Sequence, residues 1–271
     1  MCELFAMSSL YPTTVTFSLN EFSKHGGFNG PHKDGWGVAY YEENDVRILK
    51  DEKSAATSPY LECVKSNQYK SKIVFSHIRR ATQGKISYPN TQPFQRELVG
   101  RKHTFIHNGD LKGINYSPEI NLGGFFPVGE TDSEYAFCYL MKLLSGIWEY
   151  NHCPRIKQRY TLISCFAKII SNFGPANFIY SDGDLLFVHG HIRKQIGRKG
   201  FHPPGLFKLR RVRKDQRQFS EIQGLVFHDK SQKQEVVLVA SVPLTNEDWI
   251  PLFEGELLVL KNGNYIDVST I

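Results

Sequence analysis

The sequence lacks most of the marks of export, membrane insertion or metal binding. It holds only five cysteines, at positions 2, 63, 138, 153 and 165. They are odd in number, widely spaced and without a CxxC pair, so neither a disulfide framework nor a zinc cage is indicated. A reducing cytoplasm is the expected compartment. The N-terminus, Met1-Cys2-Glu3-Leu4-Phe5, has no basic region of a secretory signal, and no later stretch approaches the ~18 consecutive apolar residues of a membrane span. Charge of one sign is also scarce, with 33 Lys and Arg against 27 Asp and Glu, a formal +6. The densest basic stretch, from Arg193 to Arg217, reads as a solvated loop face and shows no groove-reading pattern. Nucleic acid and membrane are therefore not expected as partners.

What is present describes a folded protein. Hydrophobic residues make up 41% and charged residues 22% of 271 positions, enough to bury a core, and one domain over 1–271 is favoured over two small ones. Short apolar, β-rich runs recur at Cys2–Met7, Trp36–Tyr41, Val46–Lys50, Ile73–His77 and Thr104–His107, separated by Gly, Asn, Asp or Pro. Thr131-Asp132-Ser133-Glu134 then has the form of a capping box, with Tyr135, Tyr139, Leu143 and Ile147 following at helical spacing. That predicts a helix to about Trp148. A second helix is predicted over Gln158–Asn172, closed by Gly174-Pro175. Beyond it, Asn177–Tyr180 and Leu185–His189 flank the hairpin signal Ser181-Asp182-Gly183-Asp184, and further strands are predicted at Glu221–Phe227, Glu235–Ser241 and Leu257–Lys261. Strands, helices, then strands argue for segregated layers, an α+β sandwich rather than a doubly wound parallel sheet.

Four places carry candidate chemistry, each with a plainer reading beside it. Cys2 follows the initiator Met, and a residue this small permits Met removal, leaving a thiol beside a free α-amino group. That amine, with an ordinary pKa near ~8, can serve as the base a thiol nucleophile needs; the plainer reading is a small buried residue in a first strand. In Ser76-His77-Ile78-Arg79-Arg80-Ala81-Thr82-Gln83-Gly84, a strand ends in arginines whose planar fork matches a carboxylate, or merely makes a surface ion pair. In His107-Asn108-Gly109-Asp110, the Asn108 side-chain NH₂ and the Gly109 amide can form an oxyanion hole, or Asn-Gly is a hairpin turn. Asp132, in Gly129-Glu130-Thr131-Asp132-Ser133, can receive a substrate ammonium or simply favour the helix N-terminus.

Met1-Cys2, the His-x-Arg-x-Ala-Thr-x-Gly element from His77 to Gly84, His107-Asn108-Gly109 and Glu130-Thr131-Asp132 together, in this order, resemble a class II glutamine amidotransferase domain. Gly30-Pro31-His32-Lys33-Asp34-Gly35-Trp36-Gly37 and Asn90-Thr91-Gln92-Pro93-Phe94 resemble its standalone, YafJ-like branch. The resemblance implies a four-layer αββα sandwich of the N-terminal nucleophile hydrolase type. It also implies Cys2 as nucleophile, Asn108 and Gly109 as the oxyanion hole, Arg79 on the substrate α-carboxylate, Asp132 on its α-ammonium and Thr82 as a further contact. Glutamine would be hydrolysed through a glutamyl thioester, without metal or organic cofactor. Gln83 stands where fused relatives often carry His. Fused relatives also continue into a synthase domain, whereas this chain stops at Ile271; the expectation is glutamine hydrolysis that either delivers ammonia to a separate synthase subunit or acts alone, with a homo-oligomer as a further option. The alternatives are hydrolysis of another γ-glutamyl amide or peptide, or a catalytically silent glutamine-binding regulatory subunit. His189 and His191, near Asp182 and Asp184, read as hairpin residues rather than metal ligands, and Cys63, Cys138, Cys153 and Cys165 as small core residues.

Overall fold

A computed structural model of the protein describes residues 1–27, 30–150, 152–195, 197–213 and 233–270. The first half runs β1 (Glu3–Thr13), α1 (Thr16–Lys24), β2 (Trp36–Glu42), β3 (Asp45–Asp51), α2 (Pro59–Asn67), β4 (Ser71–Ile78), β5 (Phe94–Leu98) and β6 (Arg101–Gly109). Then come α3 (Asp132–Leu144), α4 (Ile156–Ser171), β7 (Ala176–Ser181), β8 (Leu186–His189), β9 (Arg193–Lys194) and β10 (Phe201–His202). The chain closes with β11 (Phe207–Arg213), β12 (Gln234–Ala240), β13 (Ile250–Pro251), β14 (Leu257–Lys261) and β15 (Asn264–Tyr265). The strand predicted at 221–227 lies outside the described residues.

Two antiparallel sheets face each other, one ordered β13-β11-β12-β1-β4-β2-β3 and the other β15-β14-β8-β7-β6-β5. Alternation along β1 explains how it serves two layers. Leu4 and Ala6 point into the space between the sheets, with Phe75, Val237 and Val239 from one side and Ile106, Ile179 and Val188 from the other. Phe5 and Met7 point outward against Leu19 and Phe22 of α1 and Leu61 and Val64 of α2. On the far face of the second sheet, Phe105 and Phe178 pack under Phe137, Leu140, Ile163 and Phe166 of α3 and α4. The layers are thus α, β, β, α, the expected sandwich. Among the described residues no helix is long and apolar enough to cross a membrane.

Helix α3 departs from its sequence pattern in three ways. Its deepest face is Ala136, Phe137, Leu140, Met141 and Leu144, while Tyr135 and Leu143 sit only partly buried at its margins. It ends at Leu144, where Ser145 caps the last turn, short of Trp148. The capping box is half made. Thr131 accepts from the Glu134 amide at 3.2 Å, but the Glu134 carboxylate takes the Val128 and Gly129 amides (3.1 and 2.7 Å) and Arg96 Nη2 (2.6 Å), because the loop before the helix folds over it.

The basic stretch divides: Lys194, Arg198 and Lys199 are exposed, as expected of a solvated face, but the part from Phe207 on is not a loop. Phe207–Arg213 is a strand lying between β13 and β12, and Lys208 pairs with Glu256 (2.7 Å), Arg210 with Glu235 (2.7 Å) and Arg211 with Glu247. Residues 214–217 lie outside the described set. Of the four other cysteines only Cys138 is buried; Cys63, Cys153 and Cys165 are exposed. The Ser181–Asp184 hairpin forms, and its buried Asp182 pairs with Arg159 of α4 at 2.7 Å, while Asp184 takes Arg159 at 2.9 Å and Lys261 at 2.7 Å. Arg159→Met leaves the Asp182 carboxylate buried without its counter-ion, and chemical unfolding should report a loss of about 3–5 kcal/mol. A loss under about 1 kcal/mol, the range of an exposed pair, would contradict this account of the cluster.

Candidate active site

Cys2 enters β1 between β4 and β12, and the pairing of Glu3 with Ile78 sets it opposite the exit of β4. Its Sγ accepts from the Arg80 amide at 3.4 Å and donates to the Arg80 carbonyl at 3.5 Å. From the second sheet, Asn108 near the end of β6 donates its Nδ2 to the Cys2 carbonyl oxygen. Ser241, directly after β12, accepts from Leu4 N at 2.9 Å and lies 3.5 Å from Asn108 Nδ2. The ends of both sheets therefore meet at Cys2, one at its thiol and the other at its carbonyl oxygen. Burial pushes that thiol's pKa up; the Arg80 amide and the positive N-terminus and Arg79 act in the opposite direction, and Asp132 adds to the rise. A neutral thiol of this kind needs a base before it can attack.

Arg79 and Arg80 divide clearly. Arg80 offers its backbone to Sγ and leaves its side chain exposed, whereas Arg79 is buried. The Arg79 guanidinium donates to the carbonyls of Lys85 (2.9 Å), Gln83 (3.0 Å) and Gly84 (3.3 Å), bracing the loop after β4. Three of its five N–H donors are engaged this way. Asp132, the first residue of α3, accepts from Leu111 N at 2.7 Å and Ser133 N at 2.8 Å, tying the helix start to the chain leaving β6. Thr82 is exposed on the loop that Arg79 braces.

Asn108-Gly109 is not a hairpin turn. Both residues are still paired with β7, Asn108 with Asn177 and Gly109 with Ala176. Glycine is required at 109 by close approach, since a Cβ there would stand 1.7 Å from the Pro175 carbonyl oxygen. His107 is buried, its Nδ1 2.8 Å from Ser133 Oγ and its Nε2 3.2 Å from Pro175 O, and burial pushes its pKa down.

Several residues of the family-like segments support the site without touching Cys2. Gln92 works as a substitute strand, accepting from His107 N at 2.6 Å and donating to His107 O at 3.3 Å. Asn90 links Lys85 O to Glu130 N (3.0 and 2.7 Å), joining the Arg79 loop to the approach of α3. Asp34 accepts from Ala81 N at 2.8 Å, and Gln83 donates to Asp110. These account for parts of the Gly30–Gly37 and Asn90–Phe94 segments that sequence reading linked to the family without a role. His189 and His191 face the Ala176 backbone, through His189 Nδ1 to Ala176 O (2.8 Å) and Ala176 N to His191 Nδ1 (3.1 Å).

Met1 lies over this site. Its carbonyl faces His32 Nε2 at 2.7 Å and its sulfur accepts from Lys194 N at 3.2 Å. Beside it, Glu3 pairs with His25 at 2.6 Å.

Residues 1–271 match the family described as glutamine amidotransferases class-II. The Escherichia coli (strain K12) protein YafJ, itself only provisionally named a glutamine amidotransferase, is 36% identical over 260 residues, covering 94% of this chain and 96% of that protein. A 2.0 Å crystal structure of a Pseudomonas aeruginosa PA01 protein, described as a predicted glutamine amidotransferase, superposes with a TM-score of 0.68 at 29% identity, covering 98% of this chain and 100% of that one. Glutamine phosphoribosylpyrophosphate amidotransferase from B. subtilis matches with a TM-score of 0.59 at 15% identity, over 98% of this chain and 48% of that chain, a likeness of fold alone.

Proposed function

The chain belongs to the class II glutamine amidotransferases, and on that premise we propose that it hydrolyses the side-chain amide of glutamine with Cys2 as nucleophile, once Met1 is removed. The observation that carries this reading is the convergence on Cys2 of the Arg80 backbone at its thiol, of Asn108 at its carbonyl oxygen, and of Arg79 and Asp132 by charge. The thiol proton passes to the freed α-amino group, and sulfur attacks the amide carbon. The oxyanion is held by the Gly109 amide and by Asn108 Nδ2, whose contact with Ser241 at 3.5 Å is weak enough for a substrate oxygen to displace. Ammonia leaves with the proton, and water then opens the glutamyl thioester to glutamate. Arg79 and Asp132 take the α-carboxylate and α-ammonium, with Thr82 beside them. The family match over 1–271 supports treating that range as one domain, and a reducing compartment such as the cytoplasm suits a free thiol nucleophile.

Arg79→Lys keeps the charge and loses the fork. KM for glutamine should rise about tenfold while kcat stays within about threefold, because uniform binding is lost rather than transition-state stabilisation. An unchanged KM would remove Arg79 from substrate capture. The substrate itself is tested by glutamate release from glutamine and a panel of γ-glutamyl amides. Turnover of glutamine supports the proposal; turnover of a bulky conjugate alone would replace glutamine as the substrate.

A further inference from the structure

His32 is buried against the chain start with each ring nitrogen facing a carbonyl oxygen: Nδ1 lies 3.3 Å from His25 O and Nε2 2.7 Å from Met1 O. Carbonyls only accept, and a neutral imidazole has one N–H. Serving both oxygens takes the imidazolium. Burial acts against that form and outweighs the help of Glu3 and the two carbonyls, with the N-terminus also opposing. The surrounding charges are Glu3 and His25, paired at 2.6 Å, and Arg193, 3.9 Å from Glu3, with Arg80 and Lys194 acting on the chain terminus itself. The ring is held closely, since a Cβ on Gly30 would stand 2.7 Å from His25 O and 3.1 Å from His32 Nδ1.

The pocket is thus mismatched to Met1 and suited to its absence. Met1 O and the Cys2 nitrogen share one carbonyl carbon and lie about 2.3 Å apart by peptide geometry. Removal of Met1 takes away an acceptor and leaves an N–H donor within that distance of it. We propose that His32, fixed as the Nδ1–H tautomer by His25 O, accepts a hydrogen bond at Nε2 from the Cys2 α-amino group, directly or through one water. His32 is then a positioning residue. It aims the amine lone pair at the thiol proton and stabilises the ammonium that forms when this proton arrives. The inference rests on the proposed removal of Met1 and on the amine acting as base.

Two substitutions separate this from a structural role. His32→Asn keeps an N–H near the Nδ1 position and loses the Nε2 acceptor, whereas His32→Gln places an acceptor near Nε2. Glutamate release and iodoacetamide alkylation of Cys2, followed by peptide mass spectrometry, are the readouts, with intact mass verifying Met1 removal in each variant. His32→Asn should lower kcat and Cys2 alkylation by about 10- to 100-fold with KM unchanged, as expected for a misaimed catalytic group. His32→Gln should rescue both to within about fivefold of the wild type on the same reasoning. Wild-type rates in His32→Asn, or a His32→Gln variant as slow as His32→Asn, would overturn the proposal. Alkylation that follows the expected pattern in a chain that hydrolyses no γ-glutamyl amide would uphold the His32 role and refute the substrate reading.

Discussion

Cys2→Ala should abolish glutamate release, lowering kcat by at least about 10⁴-fold, the scale seen when an enzyme loses its nucleophile. Alanine is small enough to permit Met removal, so the α-amino group, Arg79, Asn108 and Asp132 all remain and the thiol alone is lost. The fold should be nearly indifferent. Cys2 is only partly buried and its thiol makes two long contacts, at 3.4 and 3.5 Å, both to Arg80. The stability change should therefore stay within about 1 kcal/mol, as for other substitutions outside the core. Steady-state assays beside thermal unfolding separate the two effects. Activity within tenfold of wild type would end the nucleophile assignment.

The second large effect is expected at Asn108. Asn108→Ala should lower kcat by about 10²- to 10³-fold, the usual consequence of losing one oxyanion donor. The position of the amide sets this effect. Nδ2 already donates to the Cys2 carbonyl oxygen and has only the 3.5 Å contact with Ser241 besides. One N–H thus fixes the nucleophile's backbone and the other is free to turn to substrate. Alanine removes both, so kcat should fall while KM for glutamine changes little. A raised KM with kcat intact would mean that Asn108 binds the ground state instead. Gly109→Ala cannot serve as the companion test, because its Cβ would overlap the Pro175 carbonyl oxygen and unfolding would obscure the chemistry.

The parts of the fold visible in sequence are those whose cause is local. β1 and β7 are buried on both faces and so read as apolar runs. The β7–β8 hairpin follows from Asp182-Gly183, and the start of α3 from the Thr131 cap. Helices α1 and α2 span nine residues each, too short to display a period strongly. The pairing of β1 with β12 joins Phe5 to Ala240, and nothing in either strand announces its partner. The later half of the basic run, Phe207–Arg213, departs from the solvated loop that its composition suggests for the same reason. The counter-charges of Arg210, Arg211 and Lys208 lie 25, 36 and 48 positions away, at Glu235, Glu247 and Glu256, so this half looks solvated until the strands are assembled.

The candidate site follows the same division. Cys2, Arg79, Asn108, Gly109 and Asp132 stand out because motif order links them, and the structure draws Cys2, Arg79, Asn108 and Asp132 together. Ser241 acts only through distant contacts, and no spacing rule reaches it; Gln92, Asn90 and Asp34 fall in segments that resemble the family, but their partners His107, Glu130 and Ala81 lie 15, 40 and 47 positions away. Asn108-Gly109 shows the limit of dipeptide reasoning: a pair with strong turn preference forms the end of a strand, because Asn177 and Ala176 are there to pair with it. The role of Gln92 depends likewise on the edge left at His107 where β5 begins.

The most direct test of the central claim is the intact mass of the full chain before and after treatment with a glutamine-analogue electrophile such as diazo-oxo-norleucine, with the adduct located by peptide mapping. The account predicts a chain lacking Met1 that gains a single adduct on the Cys2 sulfur, blocked by excess glutamine. A chain that retains Met1, or one that takes the label elsewhere or not at all, would contradict it.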